Sequence, residues 1–236
     1  MPTILPSTNV VETPPGCELD YNPAESVSAD QSSNAYAATL VGAGPSATDF
    51  GGHPCAEFDG NVAVHYDIPI PSEWTILAVC SADSLANFAH LCGAGPSNAA
   101  NDERWGVLYL RDTPSSADGG IRVIWGDGTN QSRIDSDDPV FSTSLNVIGV
   151  RFTTGTANVD IRESGHKGAF VNVDRTQTQS DASTCNPGDY NFYIGMGGAY
   201  TLQRWDGKVA RLIVWDRSLD DDEFDYWLRR LIDVYT

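Results

Sequence analysis

The sequence predicts an all-β protein, a two-sheet antiparallel sandwich with one short C-terminal helix. Three observations predict it. From Ala56 onward, short runs rich in Val, Ile, Phe, Tyr and Trp alternate with Gly, Asp, Asn, Ser and Pro turns, the mark of strands on pleated, half-buried surfaces. No helical periodicity interrupts these runs, so no crossover helices exist for a parallel sheet and the strands must pair as antiparallel neighbours in two layers. Helix signals appear only after Leu219.

The candidate strands are residues 61–66, 74–81, 89–93, 106–111, 121–126, 147–153, 158–164, 169–174, 191–196 and 208–215. Residues 147–153 and 158–164 flank Thr154-Gly155-Thr156-Ala157, a hairpin signal. Simple alternation along the last run puts Ala210, Leu212 and Val214 on one face and Val209, Arg211, Ile213 and Trp215 on the other. A strand apolar on much of both faces suits a sheet whose back is covered, here by the helix. That helix starts at Asp220-Asp221-Asp222-Glu223, with Asp220 as N-cap and Glu223 as its capping-box partner. Phe224, Trp227, Leu228, Leu231 and Tyr235 then form one apolar face. Metal binding by the acidic run is the alternative to capping.

Residues 1–23 read differently. Pro2, Pro6, Pro14, Pro15 and Pro23 fix φ and remove donors, so an extended arm is expected before a sandwich spanning 24–236, with its core from about residue 56. Ile4, Leu5, Val10 and Val11 are the apolar residues with which the arm would dock, on its own domain or on a neighbouring subunit.

The chain of 236 residues carries 14 Lys+Arg against 32 Asp+Glu, a formal charge of −18. Residues 1–103 hold 13 carboxylates and neither Lys nor Arg. Such a chain is repelled by phosphate, which argues against nucleic acid and against anionic membranes as partners. The acidity serves solubility, or hydration in a saline medium where salt screens the repulsion. Trp74–Cys80 is the longest apolar stretch, far short of a membrane span, and no signal peptide is visible. Five cysteines at irregular spacing, with no CxxC, read as free thiols of a reducing compartment, although Cys80 and Cys92 could face each other across a hairpin centred near Ala86.

The C-terminal third resembles a family. Asn191-Phe192-Tyr193-Ile194-Gly195, then Trp205-Asp206-Gly207-Lys208-Val209-Ala210-Arg211-Leu212-Ile213-Val214-Trp215-Asp216-Arg217-Ser218-Leu219 and the capped helix, look like the end of a laminin-G-like, concanavalin-A-like jelly roll. Glu57-Phe58-Asp59-Gly60 and Trp74-Thr75-Ile76-Leu77-Ala78-Val79 resemble its early strands, so the resemblance covers roughly residues 56–235. It implies a jelly-roll sandwich, and a family of mostly binding and structural proteins with some glycosidases. Fold alone does not choose among them.

The motifs narrow the choice. Retaining glycosidases need two carboxylates about 5 Å apart, and the E-x-D-x-x-E strand that supplies them on this fold is absent. His53, His65, His90 and His166 are scattered, and neither HExxH nor GxSxG occurs. An enzyme is therefore not expected. Calcium is the most credible ion, since the resemblance implies rim sites; Asp127, Asp135, Asp137 and Asp138 are the candidate ligands, with plain turns as the alternative. For sugar, Trp105, Trp125, Tyr200 and Trp205 with Arg204 are the candidate aromatics and polar neighbour, and core packing is the competing reading.

The expected function is that of a non-enzymatic structural protein of a bacteriophage particle, a capsid decoration, head or tail fibre, or adhesin. Such proteins are made in the host cytoplasm without an export signal and released in the virion. The arm would dock on other virion proteins or on copies of the chain. The alternative is a carbohydrate-binding lectin module recognising a cell-surface glycan, and the third reading is a glycosidase.

Overall fold

The computed structural model describes residues 11–69, 71–85, 89–95, 105–113, 116–137, 139–154, 158–165, 169–172, 175–180, 182, 184–185, 190–197 and 203–235. The early strands are β1 (Leu19–Tyr21), β2 (Thr39–Val41), β3 (Ser46–Phe50), β4 (His53–Asp59), β5 (Ala63–Tyr66) and β6 (Trp74–Ala82). The middle ones are β7 (Ala89–Ala94), β8 (Trp105–Thr113), β9 (Ser116–Gly126), β10 (Gln131–Ser136) and β11 (Asn146–Thr153). The chain ends with β12 (Asn158–Gly165), β13 (Ala169–Asn172), β14 (Arg175–Ser180), β15 (Phe192–Ile194), β16 (Asp206–Trp215) and the helix α1 (Asp221–Tyr235).

The strands form two antiparallel sheets of eight. One runs β13-β12-β11-β6-β16-β4-β3, with β1 also on β16; the other runs β14-β10-β9-β8-β7-β15-β5-β2. This is the jelly-roll sandwich. Each of the ten runs expected from the sequence becomes a strand, and 147–153 pairs with 158–164 as a hairpin, Thr153 opposite Asn158. The main core lies between the sheets and holds Phe58, Trp74, Trp105, Trp125, Phe152, Phe192 and Trp205. A second apolar cluster lies behind the first sheet, where Leu77, Val79, Val147, Ile213 and Trp215 meet Phe224, Leu228, Leu231 and Ile232 of α1. Gly149 permits this closeness, since a Cβ there would fall 2.8 Å from the Phe224 ring.

Asp220 caps α1 as expected, accepting the Glu223 N–H at 2.9 Å. The Glu223 carboxylate takes both arms of Arg217, at 2.6 and 2.9 Å, and a bond from the Asp220 backbone N–H, the reciprocal half of the capping box, also helps to lower its pKa. Asp221 and Asp225 pair with Arg151 and Arg162 of the sheet, and both guanidiniums lie over the Phe224 ring. The acidic run is thus occupied by the cap and by ion pairs.

The boundary at residue 23 is corrected. Leu19–Tyr21 is a sheet strand, with Leu19 opposite Val214 and Tyr21 opposite Leu212. It continues the edge of β16 where β4 leaves off, since β4 pairs only with Asp206–Val209. Upstream, Val11 and Cys17 join the cluster behind the sheet. The reason is Arg211. Its Nε and Nη2 reach the two oxygens of Asp20 at 2.9 and 2.7 Å, and its remaining N–H groups donate to the carbonyls of Val11 and Glu12. Residues 11–23 are therefore docked within their own domain. Ile4, Leu5 and Val10 lie outside the described residues.

The face assignment along β16 is also corrected. The ladder to β6 shifts between Val209 and Arg211, so Ala210 is an extra residue in a bulge. Val209, Leu212 and Val214 face the main core, while Ala210, Ile213 and Trp215 face the helix. The alternative hairpin that would have set Cys80 against Cys92 does not form, because β6 and β7 belong to different sheets. All five cysteines are free and buried. Burial, more than the nearby Asp20 and Asp30, pushes the Cys17 thiol up to about 12, and burial likewise takes Cys55 up to about 11. Neither is a poised nucleophile.

Asp20→Asn leaves the buried guanidinium without its carboxylate and is expected to cost about 3–5 kcal/mol in urea unfolding. The double variant Asp20→Asn with Arg211→Met should cost less than the sum of the singles. A single-variant cost within about 0.5 kcal/mol of a surface change would refute the role assigned to this pair.

Candidate functional site

Helix α1 and residues 11–17 cover the outer side of the first sheet. The outer side of the second sheet carries polar and aromatic groups, and bulges decide which. At Gly106, whose φ is +59°, the ladder between β7 and β8 shifts: Ala94 lies opposite Trp105 and Cys92 opposite Leu108. Trp105 turns inward to stack on Phe192 at 4.9 Å, and Leu108 and Leu110 also join the core. Val107 and Tyr109 therefore fall on the outer face. A second shift in β7 sets His90 opposite Tyr109 on that face.

The result is a row across four strands. His90 pairs in register with Tyr109, Tyr109 with Arg122, and Arg122 with Asp135. His90 and Tyr109 pack ring on ring, 4.4 Å between centroids. Arg122 and Asp135 form a bidentate pair at 2.6 and 2.8 Å. Gln203, exposed and held in the left-handed region at φ 59°, arches over the row. Its carbonyl accepts the His90 N–H at 2.8 Å and His90 Nδ1–H at 3.1 Å, and its Oε1 accepts the Tyr109 hydroxyl at 3.0 Å. Gly197 in the same segment lies so close to His90 that a Cβ would stand 2.2 Å from the ring. Such a strained, multiply bonded residue is typical of a fixed recognition element.

Three residues along β7 from His90, in the row of Gly93, stand Tyr193 and His65, paired in register on β15 and β5. Their rings lie 4.8 Å apart and both are half-buried. Partial burial lowers the His65 pKa against the opposing pull of Asp67, so the ring is neutral at pH 7. Burial raises the Tyr193 phenol pKa, and a hydrogen bond with Asn191 opposes this only in part. His90 and Tyr109 are themselves buried, so the face offers the half-buried Tyr193 and His65 rings, the Tyr193 phenol and the exposed Gln203 amide, with the Arg122 charge matched. It can hold a polar ligand with an apolar flank, giving C–H groups to the rings and hydroxyls to fixed donors and acceptors.

The residues expected to bind sugar are mostly elsewhere. Trp105, Trp125 and Trp205 are fully buried between the sheets and are corrected to core residues. Trp125 donates its indole N–H to the Ala182 carbonyl at 3.1 Å, and Trp205 packs on Phe141 at 5.2 Å. Arg204 follows Gln203 but turns its guanidinium to the Asn61 carbonyl. Tyr200 lies outside the described residues. The calcium set does not assemble either. Asp127 closes its own turn, accepting the N–H groups of Thr129 and Asn130 at 2.9 and 2.7 Å. Slight burial raises its pKa, and these N–H groups outweigh that and bring it below the usual carboxylate value. Asp135 is held by Arg122 at the far end of β10, Asp137 is exposed just beyond it, and Asp138 lies outside the described residues. Among the described residues no group of three or more His, Cys, Asp and Glu side chains could hold a metal ion. Sequence reading missed Tyr109, Tyr193, His65, His90 and Gln203 as site residues, because bulges set the first parity and a distant loop brings Gln203 to the face.

No protein-family model matches the chain, and no curated protein is similar to it in sequence. Its fold is similar to that of solved domains. Domain 4 of AbnA, a GH43 extracellular arabinanase from Geobacillus stearothermophilus in complex with arabinotriose, superposes with TM-score 0.59 at 11% identity, over 93% of this chain and 98% of that one. The CBM40 of Ruminococcus gnavus IT-sialidase, bound to α2,3-sialyllactose, gives 0.50 at 16% identity over 67% and 83%. The binding domain of botulinum neurotoxin serotype D/C gives 0.61 at 9% identity over 92% of this chain and 52% of that one, so the chain spans about half of that structure. At these identities the likeness is one of fold.

Trp205→Ala is expected to lower stability by about 3–5 kcal/mol through the cavity it opens. A fully stable variant in thermal unfolding would return Trp205 to the surface. The lowered His65 pKa means that the unfolded chain takes up this proton first. Its contribution is whole above pH 6.5 and is lost as pH falls towards the folded-state value. Urea midpoints above and below pH 6.5 should diverge less in His65→Phe than in the wild type, and equal divergence would contradict the assignment.

Proposed function

We propose that the chain is a non-catalytic carbohydrate-binding module whose glycan rests on the outer face of the second sheet. The observation that carries this reading is the division of labour between the two outer faces. One is sealed by α1 and residues 11–17, while the other leaves the Tyr193–His65 ring pair half-buried and Gln203 exposed, with His90 and Tyr109 buried in the next rows. The fold supports it, since similar domains were solved with arabinotriose and with sialyllactose. The non-catalytic part rests on the chemistry of the face. Asp135 is bound in a bidentate pair with Arg122, which leaves it unsuited to act as a general acid or nucleophile.

The other function expected from the sequence, a structural protein of a bacteriophage particle, relied on a docking arm at 1–23. Residues 11–23 are spent on β16 and Arg211 of the same domain, so such docking would fall to residues before 11.

Titration calorimetry of the whole chain against neutral oligosaccharides should show saturable binding. Tyr193→Ala should weaken it roughly fivefold to tenfold, the equivalent of about 1 kcal/mol of lost ring contact, with an unchanged circular dichroism spectrum. Undiminished binding in that variant would move the site off this face.

A further inference from the structure

Resting on that reading, we infer that the glycan class is neutral, and that the face discriminates against sugars bearing a carboxylate. The guanidinium of the face is already committed. Arg122 holds Asp135 through two charge-assisted bonds of 2.6 and 2.8 Å, with both side chains largely shielded, 15% and 13% exposed. A ligand carboxylate laid over β9 and β10 would have to break this fork or settle beside the Asp135 anion, and like charges in such contact cost several kcal/mol. Among the described residues two further cations stand nearby. Arg204 is turned to the Asn61 carbonyl, and Arg133, one row along on β10, is already engaged.

The groups presented around Gln203 and Tyr193 are uncharged. Gln203 is exposed with its carbonyl and Oε1 fixed by His90 and Tyr109, and Tyr193 adds a phenol beside its ring contact with His65. Fixed neutral donors and acceptors of this kind suit hydroxyl groups. The field of the whole chain acts in the same direction, since a formal charge of −18 repels anionic ligands before contact. Specificity of this type is set by a repulsive element, here Asp135, as much as by attraction.

The test uses the full chain and two sets of probes: arabinotriose, lactose and galactotriose against α2,3-sialyllactose and trigalacturonic acid. At least one neutral probe should bind, about tenfold or more tightly than either acidic one, with little dependence on salt. Asp135→Asn frees the Arg122 fork and should raise affinity for an acidic probe about tenfold. Equal or tighter binding of the acidic probes by the wild type would overturn the inference and leave the carbohydrate reading standing. Binding of no probe in either set would overturn both. If Asp135→Asn folds and discriminates as the wild type does, the Arg122–Asp135 pair is not the discriminating element.

Discussion

The guanidinium of Arg211 sits where three parts of the chain meet. It joins Asp20 on β1 and the carbonyls of Val11 and Glu12, and it rises from the strand that pairs with β1, β4 and β6. Arg211 and Asp20 are both essentially without solvent contact. A buried ion pair adds little net stability compared with apolar packing, but breaking one side of it is costly. Its contribution is position. Asp20 lies opposite Ile213, and four N–H groups of the guanidinium are bonded to Asp20, Val11 and Glu12 with β1 in that register. Once β1 is held there, Tyr21 reaches Val27 and Asp30 collects the N–H groups of Asp20, Ser32 and Tyr36, which orders the loop that follows.

The two faces of the sandwich follow from where the backbone departs from regular alternation. At Ala210 the bulge lets one strand present apolar side chains both to the inter-sheet core and to the helix. At Gly106 the bulge turns Trp105 and Leu108 inward together and leaves Tyr109 outside. The same device thus seals one sheet and furnishes the other. Bulges are often found where a side chain must be re-aimed beside a binding surface.

Much of the fold was legible in the sequence because β-branched and aromatic runs bounded by turn residues carry their own signal. The ten expected strands, the hairpin at 153–158 and the Asp220 cap all rest on local chemistry. The strands that escaped notice, β1, β2, β3, β10 and β14, are short or polar, and β4 showed only at its end, in Glu57-Phe58-Asp59. Leu19–Tyr21 is a strand because Arg211 and β16 make it one, and nothing within three residues records that. The site was less legible for the same reason. Tryptophans draw attention as sugar platforms, yet their volume suits the space between the sheets, where Trp105, Trp125 and Trp205 lie. Tyr109 and Tyr193 look like ordinary strand residues, and Gln203 reaches His90 across more than a hundred residues of chain.

The pairing of β1 with β16 also bears on how the molecule comes into being. The contact between Asp20 and Arg211 spans 191 residues, and β4 and β6 wait for the same late strand. During synthesis the first sheet therefore stands open down its middle until β16 has been made. Topologies of such high contact order fold slowly, because loop closure comes before the contacts that reward it. Through that interval the exposed strand edges invite pairing with other chains. Residues 1–103, with 13 carboxylates and no lysine or arginine, keep such waiting chains apart by mutual repulsion, so the lopsided charge protects the chain while it is still incomplete.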